Sequence, residues 1–222
     1  MTSHSDYQTY IFDLDGTITN SALVWLDIFR KGLENFGVTP PSDQILAAHT
    51  HDWKQMLELG LPEAKLPEFI EFEQKLATKR LPDAPLHPGA IKMLESLKKR
   101  GKQLAIFSTN DRVIFDVTMR HHNLNRFTDV AIAGDDVEHR KPHPAGLQKA
   151  LSDLGVSPSE RSQAVYIGDK DTDVQAAHNA GIDSILYYPA VHEMMYDLVE
   201  LSQHKPTRII HTWAELISPT SN

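Results

Sequence analysis

Four short apolar runs along the chain each stop at acidic, hydroxyl or glycine residues. Residues 10–12 lead into Asp13-Leu14-Asp15-Gly16-Thr17, 103–107 into Ser108-Thr109-Asn110, 130–133 into Gly134-Asp135-Asp136, and 164–167 into Gly168-Asp169. Runs of this kind predict strands buried on both faces of a parallel sheet, with their C-terminal ends at a site. Residues 184–187 and 208–210 predict two further strands. Helical patterns lie between them. Ile91, Leu94 and Leu97 fall on one face, residues 145–154 repeat apolar positions at helical spacing, and Gly101, Gly155 and Gly181 stand where helices stop. Strands alternating with helices imply βαβ units with right-handed crossovers.

The alternation breaks between residues 22 and 86. No strand pattern occurs there. Residues 23–36, 44–48, 53–59 and 69–80 read as helices, punctuated by Pro40-Pro41, Pro62, Pro67 and the proline-containing stretch 82–88. The expected architecture is therefore α/β: a Rossmann-like three-layer core with a parallel sheet, made of residues 1–17 and 88–222, carrying an inserted helical cap at 18–87.

A chain of 222 residues, 41% of them hydrophobic, is long enough for one large domain with a smaller insert. Thirty acidic against 22 basic residues give a net charge of -8 and no basic stripe, which argues against nucleic-acid or anionic-membrane partners. Lys98-Lys99-Arg100 precedes Gly101 and reads as the dipole-complementing end of a helix. With no cysteine, thiol chemistry and disulfides are excluded. Residues 1–10 lack an apolar signal core and no stretch is long enough to cross a bilayer, so a soluble cytoplasmic protein, monomer or homodimer, is expected. The twelve histidines are scattered, without a paired metal motif.

Chemistry concentrates at the strand ends. Asp13 and Asp15 are two apart, so an extended backbone puts both carboxylates on one face, where one can attack and the other move a proton. Ser108 and the amides after it can donate to a phosphoryl oxygen; the same residues would also serve as a helix cap. Lys141, before Pro142-His143-Pro144, offers a point charge to a phosphate or carboxylate, as would many a loop lysine. In Gly168-Asp169-Lys170-Asp171-Thr172-Asp173, Asp169 and Asp173 fall one helical turn apart as hard oxygen ligands suited to Mg2+, while Asp171 reads as a helix cap. In the insert, His49, Thr50 and His51, with Asp52, form a polar stretch that could act as a pH-sensitive lid or simply start a helix.

Taken in order, these motifs resemble the haloacid dehalogenase superfamily, and within it the phosphoglycolate-phosphatase-like branch. The carriers are DLDGT at 13–17, Ser108 in AIFSTN (with Thr109 as a substitute), Lys141 in RKPHP, GDKDTD at 168–173 running into AAHNAG, and Pro88-Gly89 at the return from the insert. The resemblance implies an α/β core with a helical cap and a magnesium-dependent phosphatase acting on a small phosphorylated metabolite. Asp13 would be the nucleophile, Asp15 the acid and base, Ser108 the phosphoryl-orienting hydroxyl and Lys141 the charge that ties Asp13 to the phosphate. Asp13, the Asp15 carbonyl and Asp169 would ligate Mg2+, with Asp173 in support. Thr109 and Asn110, and His49, Thr50 and His51 in the cap, are expected at the substrate. Arg140 and Lys170 depart from the branch, which often has glycine and serine there. A sugar-phosphate mutase of the β-phosphoglucomutase type is the nearest alternative, but its cap histidine falls on Trp25. A non-catalytic phosphate-binding regulator would more commonly have lost one of these motif residues.

Overall fold

The computed structural model describes residues 6–49 and 53–217. Six parallel strands form one sheet: β1 (Thr9–Phe12), β2 (Gln103–Phe107), β3 (Val130–Ile132), β4 (Ala164–Gly168), β5 (Asp183–Tyr187) and β6 (Arg208–Ile210), in the order β3-β2-β1-β4-β5-β6. The expected parallel α/β core is present. The order reverses at β1, which lies between β2 and β4, and ligands of open parallel sheets bind at the carboxyl ends beside such a switch. Phe12 is in register with Ile106 on one side and Ile167 on the other. The loops after β1, β2 and β4 therefore leave the sheet side by side.

Side-chain alternation builds a layer on each face. Tyr10, Phe12, Leu104, Ile106, Val165 and Ile167 point to one face, where Met93, Leu94 and Leu97 of α4 (Ala90–Lys99) and Phe115 and Met119 of α5 (Arg112–His121) pack on them. Ile11, Ala105, Phe107 and Tyr166 point to the other, under Leu147 and Leu151 of α6 (Ala145–Asp153) and Ala176, Ala177 and Ala180 of α7 (Asp171–Ala180). Complete burial of each large apolar side chain contributes about 1.5–3 kcal/mol. The short helices α8 (Leu198–Ser202) and α9 (Trp213–Ile217) close the β5–β6 side.

Between β1 and α4 runs the helical segment: α1 (Ala22–Asn35), α2 (Asp43–Ala48), a 3-10 turn at Trp53–Leu57 and α3 (Leu66–Arg80). It has its own apolar cluster, centred on Leu26, Phe29, Leu33, Leu46, Met56 and Phe69. Among the described residues it contributes no strand to the sheet. Its entry and exit are pinned together: Asn20 N–H donates to Pro85 O at 2.7 Å, His87 N–H to Ile18 O at 3.0 Å, and Thr19 bridges Leu86. The regular helix expected over 53–59 is instead the 3-10 turn, because Gly60 takes φ +99° and Pro62 follows, which leaves no room for a full α-helical ladder. No helix among the described residues is long and apolar enough to cross a membrane.

Candidate active site

The side chains at the three adjoining strand ends converge. Asp13 follows β1 and continues its pairing through Asp13 N–H to Ile167 O at 2.8 Å. Lys141, from the loop before α6, reaches across: its Nζ donates to Asp13 Oδ1 at 2.8 Å and to Asp173 Oδ1 at 2.6 Å. Asp173 sits in the first turn of α7, where its Oδ2 accepts the amides of Asp169 and Lys170 at 3.1 and 3.0 Å and so caps the helix. That is the capping position expected of Asp171, which instead accepts from Gln175 Nε2 one turn later. Asp169 Oδ1 accepts from Thr17 Oγ1 at 2.8 Å. Gly16 is required here for two reasons. Its φ is +80°, and a Cβ would lie 2.4 Å from Asp169 Oδ2.

Asp15 points to the same space but belongs to a different network. Its Oδ1 accepts from Ser21 Oγ at 2.8 Å and from the Trp25 indole at 3.1 Å, and its Oδ2 accepts from Asn110 Nδ2 at 2.6 Å. The helical segment and the β2 loop thus hold the carboxyl from opposite sides. Ser108 is buried after β2; its Oγ accepts the Asn110 amide at 3.1 Å, which leaves its own proton to donate. Ser108 is not the cap of α5; the first amide of that helix, at Arg112, goes to Asp135 Oδ1 at 2.7 Å.

Burial sets the protonation chemistry. It pushes Asp13 well above the ordinary carboxylate range, with Lys141 opposing and Asp173 and Asp169 reinforcing. It raises Asp15 as well, against the Ser21 and Trp25 hydrogen bonds. Asp169 is pushed up to about 7 by burial and by the charge of Asp173. For Asp173 burial acts upward too, but the Lys141 charge and the hydrogen bonds from Lys141 and the Lys170 amide outweigh it and hold the carboxyl low. Lys141 is held protonated: burial disfavours its charge, but Asp13 and Asp173 more than compensate.

This donor set fits a divalent cation. Asp13, Asp169 and Asp173 are buried, and each offers an oxygen within 4.8 Å of the others. Both Asp173 oxygens are already engaged by Lys141 and by amides, whereas among the described residues no hydrogen bond reaches Asp13 Oδ2 or Asp169 Oδ2. Four carboxylates, counting Asp15, face two lysines, Lys141 and Lys170. The carboxyl groups outnumber the lysines beside them, and hard oxygens in excess suit Mg2+.

One cavity over Asp13 gathers Asp15, Ser108, Thr109, Asn110, Lys141 and Asp169. His49 is not part of its lining. Its Nδ1–H donates to Ile45 O at 2.7 Å within α2, and its Nε2 faces Glu58 at 3.6 Å, so the local helix holds it away from the site. Thr50, His51 and Asp52 lie outside the described residues. Arg140 lines the rim but is paired with Asp111. Three contributors escape sequence reasoning. Tyr166, on β4, places its hydroxyl 3.0 Å from Lys141 Nζ and 3.2 Å from Asp173 Oδ1, beneath the ion pair. Ser21 and Trp25 hold Asp15. Thr17 had a visible signal, as the last residue of the first motif.

The model of haloacid dehalogenase-like hydrolases matches residues 10–187. The pyrophosphatase PpaX of Bacillus cereus (strain G9842) is 27% identical over 218 residues, which cover 96% of either chain. A Bacteroides fragilis structure described as a haloacid dehalogenase-like hydrolase superposes with a TM-score of 0.83 at 30% identity, over 95% of this chain and 100% of the other. A candidate phosphoglycolate phosphatase from Lactobacillus plantarum gives 0.80 at 26% identity, over 95% and 98%.

Proposed function

Because the chain belongs to the haloacid dehalogenase-like hydrolases, we propose that it is a magnesium-dependent phosphatase that cleaves a small phosphorylated metabolite through an aspartyl-phosphate on Asp13. The observation that carries this reading is the pairing of Asp13 with Lys141 at 2.8 Å, with a second carboxyl, Asp15, held apart from that ion pair on its own hydrogen bonds. A nucleophile must be ionised and an acid must be neutral. Burial raises both carboxyls, but Lys141 on Asp13, joined by Mg2+, would favour its charged form, whereas the hydrogen bonds to Asp15 come from neutral donors and let it keep its proton.

In the first step a carboxylate oxygen of Asp13 attacks phosphorus while the bond to the leaving oxygen breaks. Asp15, whose pKa burial raises, gives its proton to that oxygen. In the second step Asp15 accepts a proton from water as the water attacks the phosphoryl group, and the bond to Asp13 breaks. Lys141 neutralises charge on Asp13 and the transferring group, and Ser108 with the amides after it donates to phosphoryl oxygens. Asp13, Asp169 and the Asp15 carbonyl would hold Mg2+, with Asp173 supporting them by anchoring Lys141. The ion would supply the positive charge that lets a phosphate dianion approach the carboxylates of Asp13, Asp169 and Asp173. Residues 18–87 would act as a cap over these groups. Two relatives named as acting on pyrophosphate and phosphoglycolate support a small phosphorylated substrate.

The test is magnesium-dependent release of phosphate from an aryl phosphate by wild type and Asp13→Asn. The amide is nearly isosteric but a poor nucleophile, so turnover and trapping of an acid-stable phosphoenzyme should both disappear while the melting temperature holds. Asp13→Asn turnover near the wild-type level would refute the mechanism.

A further inference from the structure

The cavity has two unlike walls. Opposite the carboxylates, Trp25, Phe29 and Trp53 form an aromatic cluster. Ring centroids lie 5.8 Å apart for Trp25–Phe29, 6.0 Å for Trp25–Trp53 and 5.3 Å for Phe29–Trp53. All three line the cavity, together with Leu26 from α1 and Met195 and Tyr196 from the segment after β5. The wall is fixed in place. The Trp25 indole N–H is tied to Asp15 Oδ1, Met195 packs into the apolar cluster of the helical segment, and the Tyr196 carbonyl accepts the Tyr188 hydroxyl at 2.6 Å.

This geometry constrains the substrate. The oxygen that leaves with the organic group must lie beside the Asp15 carboxyl to receive its proton. Trp25 contacts that same carboxyl, so a group bonded to the leaving oxygen that runs along the indole meets Phe29 and Trp53. Resting on the phosphatase reading above, we infer that the preferred substrates are phosphate monoesters whose alcohol carries a flat, apolar group, and that Trp25, Phe29 and Trp53 select them. An apolar group gains contact area on preorganised rings. A second phosphate, a carboxylate or a polyol placed there gives up hydration to hydrocarbon surface. Such selection raises the specificity constant for the apolar ester rather than altering the phosphoryl chemistry.

Benzyl phosphate and glycerol 3-phosphate test this, because both release primary alkoxides and place similar demands on Asp15. The wild-type kcat/KM should favour benzyl phosphate at least about tenfold, the scale on which apolar pockets discriminate. Trp53→Ala should cut that ratio about tenfold. Trp53→Phe, which keeps a ring, should keep most of it, and Trp53→Leu serves if the alanine variant does not fold. Inorganic pyrophosphate and 2-phosphoglycolate complete the panel. Turnover of either, or of glycerol 3-phosphate, as efficient as that of benzyl phosphate overturns the inference and leaves the phosphatase reading standing. So does a benzyl-to-glycerol ratio that is the same in Trp53→Ala or Trp53→Leu as in wild type. No turnover of any ester overturns the phosphatase reading and this inference with it.

Discussion

Glu73 is a carboxyl placed where α1 and α3 cross. It is fully buried, and neither side-chain oxygen has a hydrogen-bond partner among the described residues. Its Oε1 lies 1.7 Å from where a Cβ on Gly32 would be, so only a glycine on α1 lets the two helices approach around it. Burial pushes its pKa up to about 9, against 4.5 for an ordinary glutamate. The folded protein therefore carries Glu73 neutral at pH values where the unfolded chain carries it ionised. A folded-state pKa above the unfolded one means stability that is fully present below the unfolded pKa and lost as pH rises toward the folded one. The window here runs from 4.5 to about 9. Across it each pH unit costs about 1.4 kcal/mol, so between about pH 5 and about pH 8 the protein loses about 4 kcal/mol through this one group.

Glu73→Gln removes the proton from the balance while keeping the shape. The amide carries its own unsatisfied donors, a constant cost of about 1–3 kcal/mol that does not depend on pH. The informative quantity is therefore the change in the variant-minus-wild-type difference between the two pH values. Thermal unfolding followed by tryptophan fluorescence should show the variant gaining on wild type by roughly 8–16 °C from about pH 5 to about pH 8, at about 2–4 °C per kcal/mol for a chain of this length. Parallel pH profiles would refute the reasoning, because they would mean that water or movement at the α1–α3 seam lets Glu73 ionise normally.

Three further outcomes follow from the site. Asp15→Asn should lower kcat/KM on alkyl phosphates by about a hundred- to ten-thousandfold, and much less for formation of the phosphoenzyme from esters with acidic phenols; equal losses in a burst assay would remove Asp15 from leaving-group protonation. Lys141→Ala strands Asp13 and Asp173 as buried carboxyls and should destabilise the protein by about 3–5 kcal/mol in urea while abolishing turnover; an unchanged unfolding midpoint would mean the pair is not held as described. Gly16→Ala forces a positive φ on a residue with a Cβ and drives that Cβ into Asp169, so the magnesium concentration for half-maximal activity should rise; an unchanged magnesium profile would show that the loop relaxes without moving Asp169.

How far the sequence could be read depends on the range of the interaction that decides each feature. A parallel strand buried on both faces is written locally, as an apolar run, and its end is marked where charge begins. That is why Asp13, Ser108 and Asp169 could be set at strand ends without coordinates, and why register then brings them together. The 3-10 turn at Trp53–Leu57 was less legible, because apolar spacing alone does not separate one short helical form from another. Tyr166 was hidden for the opposite reason. In sequence it is one more apolar strand residue, and only the pleat under Lys141 turns its hydroxyl into a site contact. Glu73 occupies a position one helical turn after Phe69 and before Ala77, on the buried face of α3, but periodicity cannot report that no partner awaits it.

Trp25 shows the limit most clearly. Helical periodicity can put it on a face of α1, but whether that face meets the acid depends on how the two chain crossings at 18–20 and 85–87 set the helical segment on the sheet. With those crossings pinned, the indole and Ser21 supply both donors to Asp15 Oδ1, while Asn110 of the core supplies the donor to Oδ2. The carboxyl that handles protons is thus anchored half by the helical segment and half by the sheet. Its position depends on contacts between residues up to 95 apart in sequence, which no local pattern encodes.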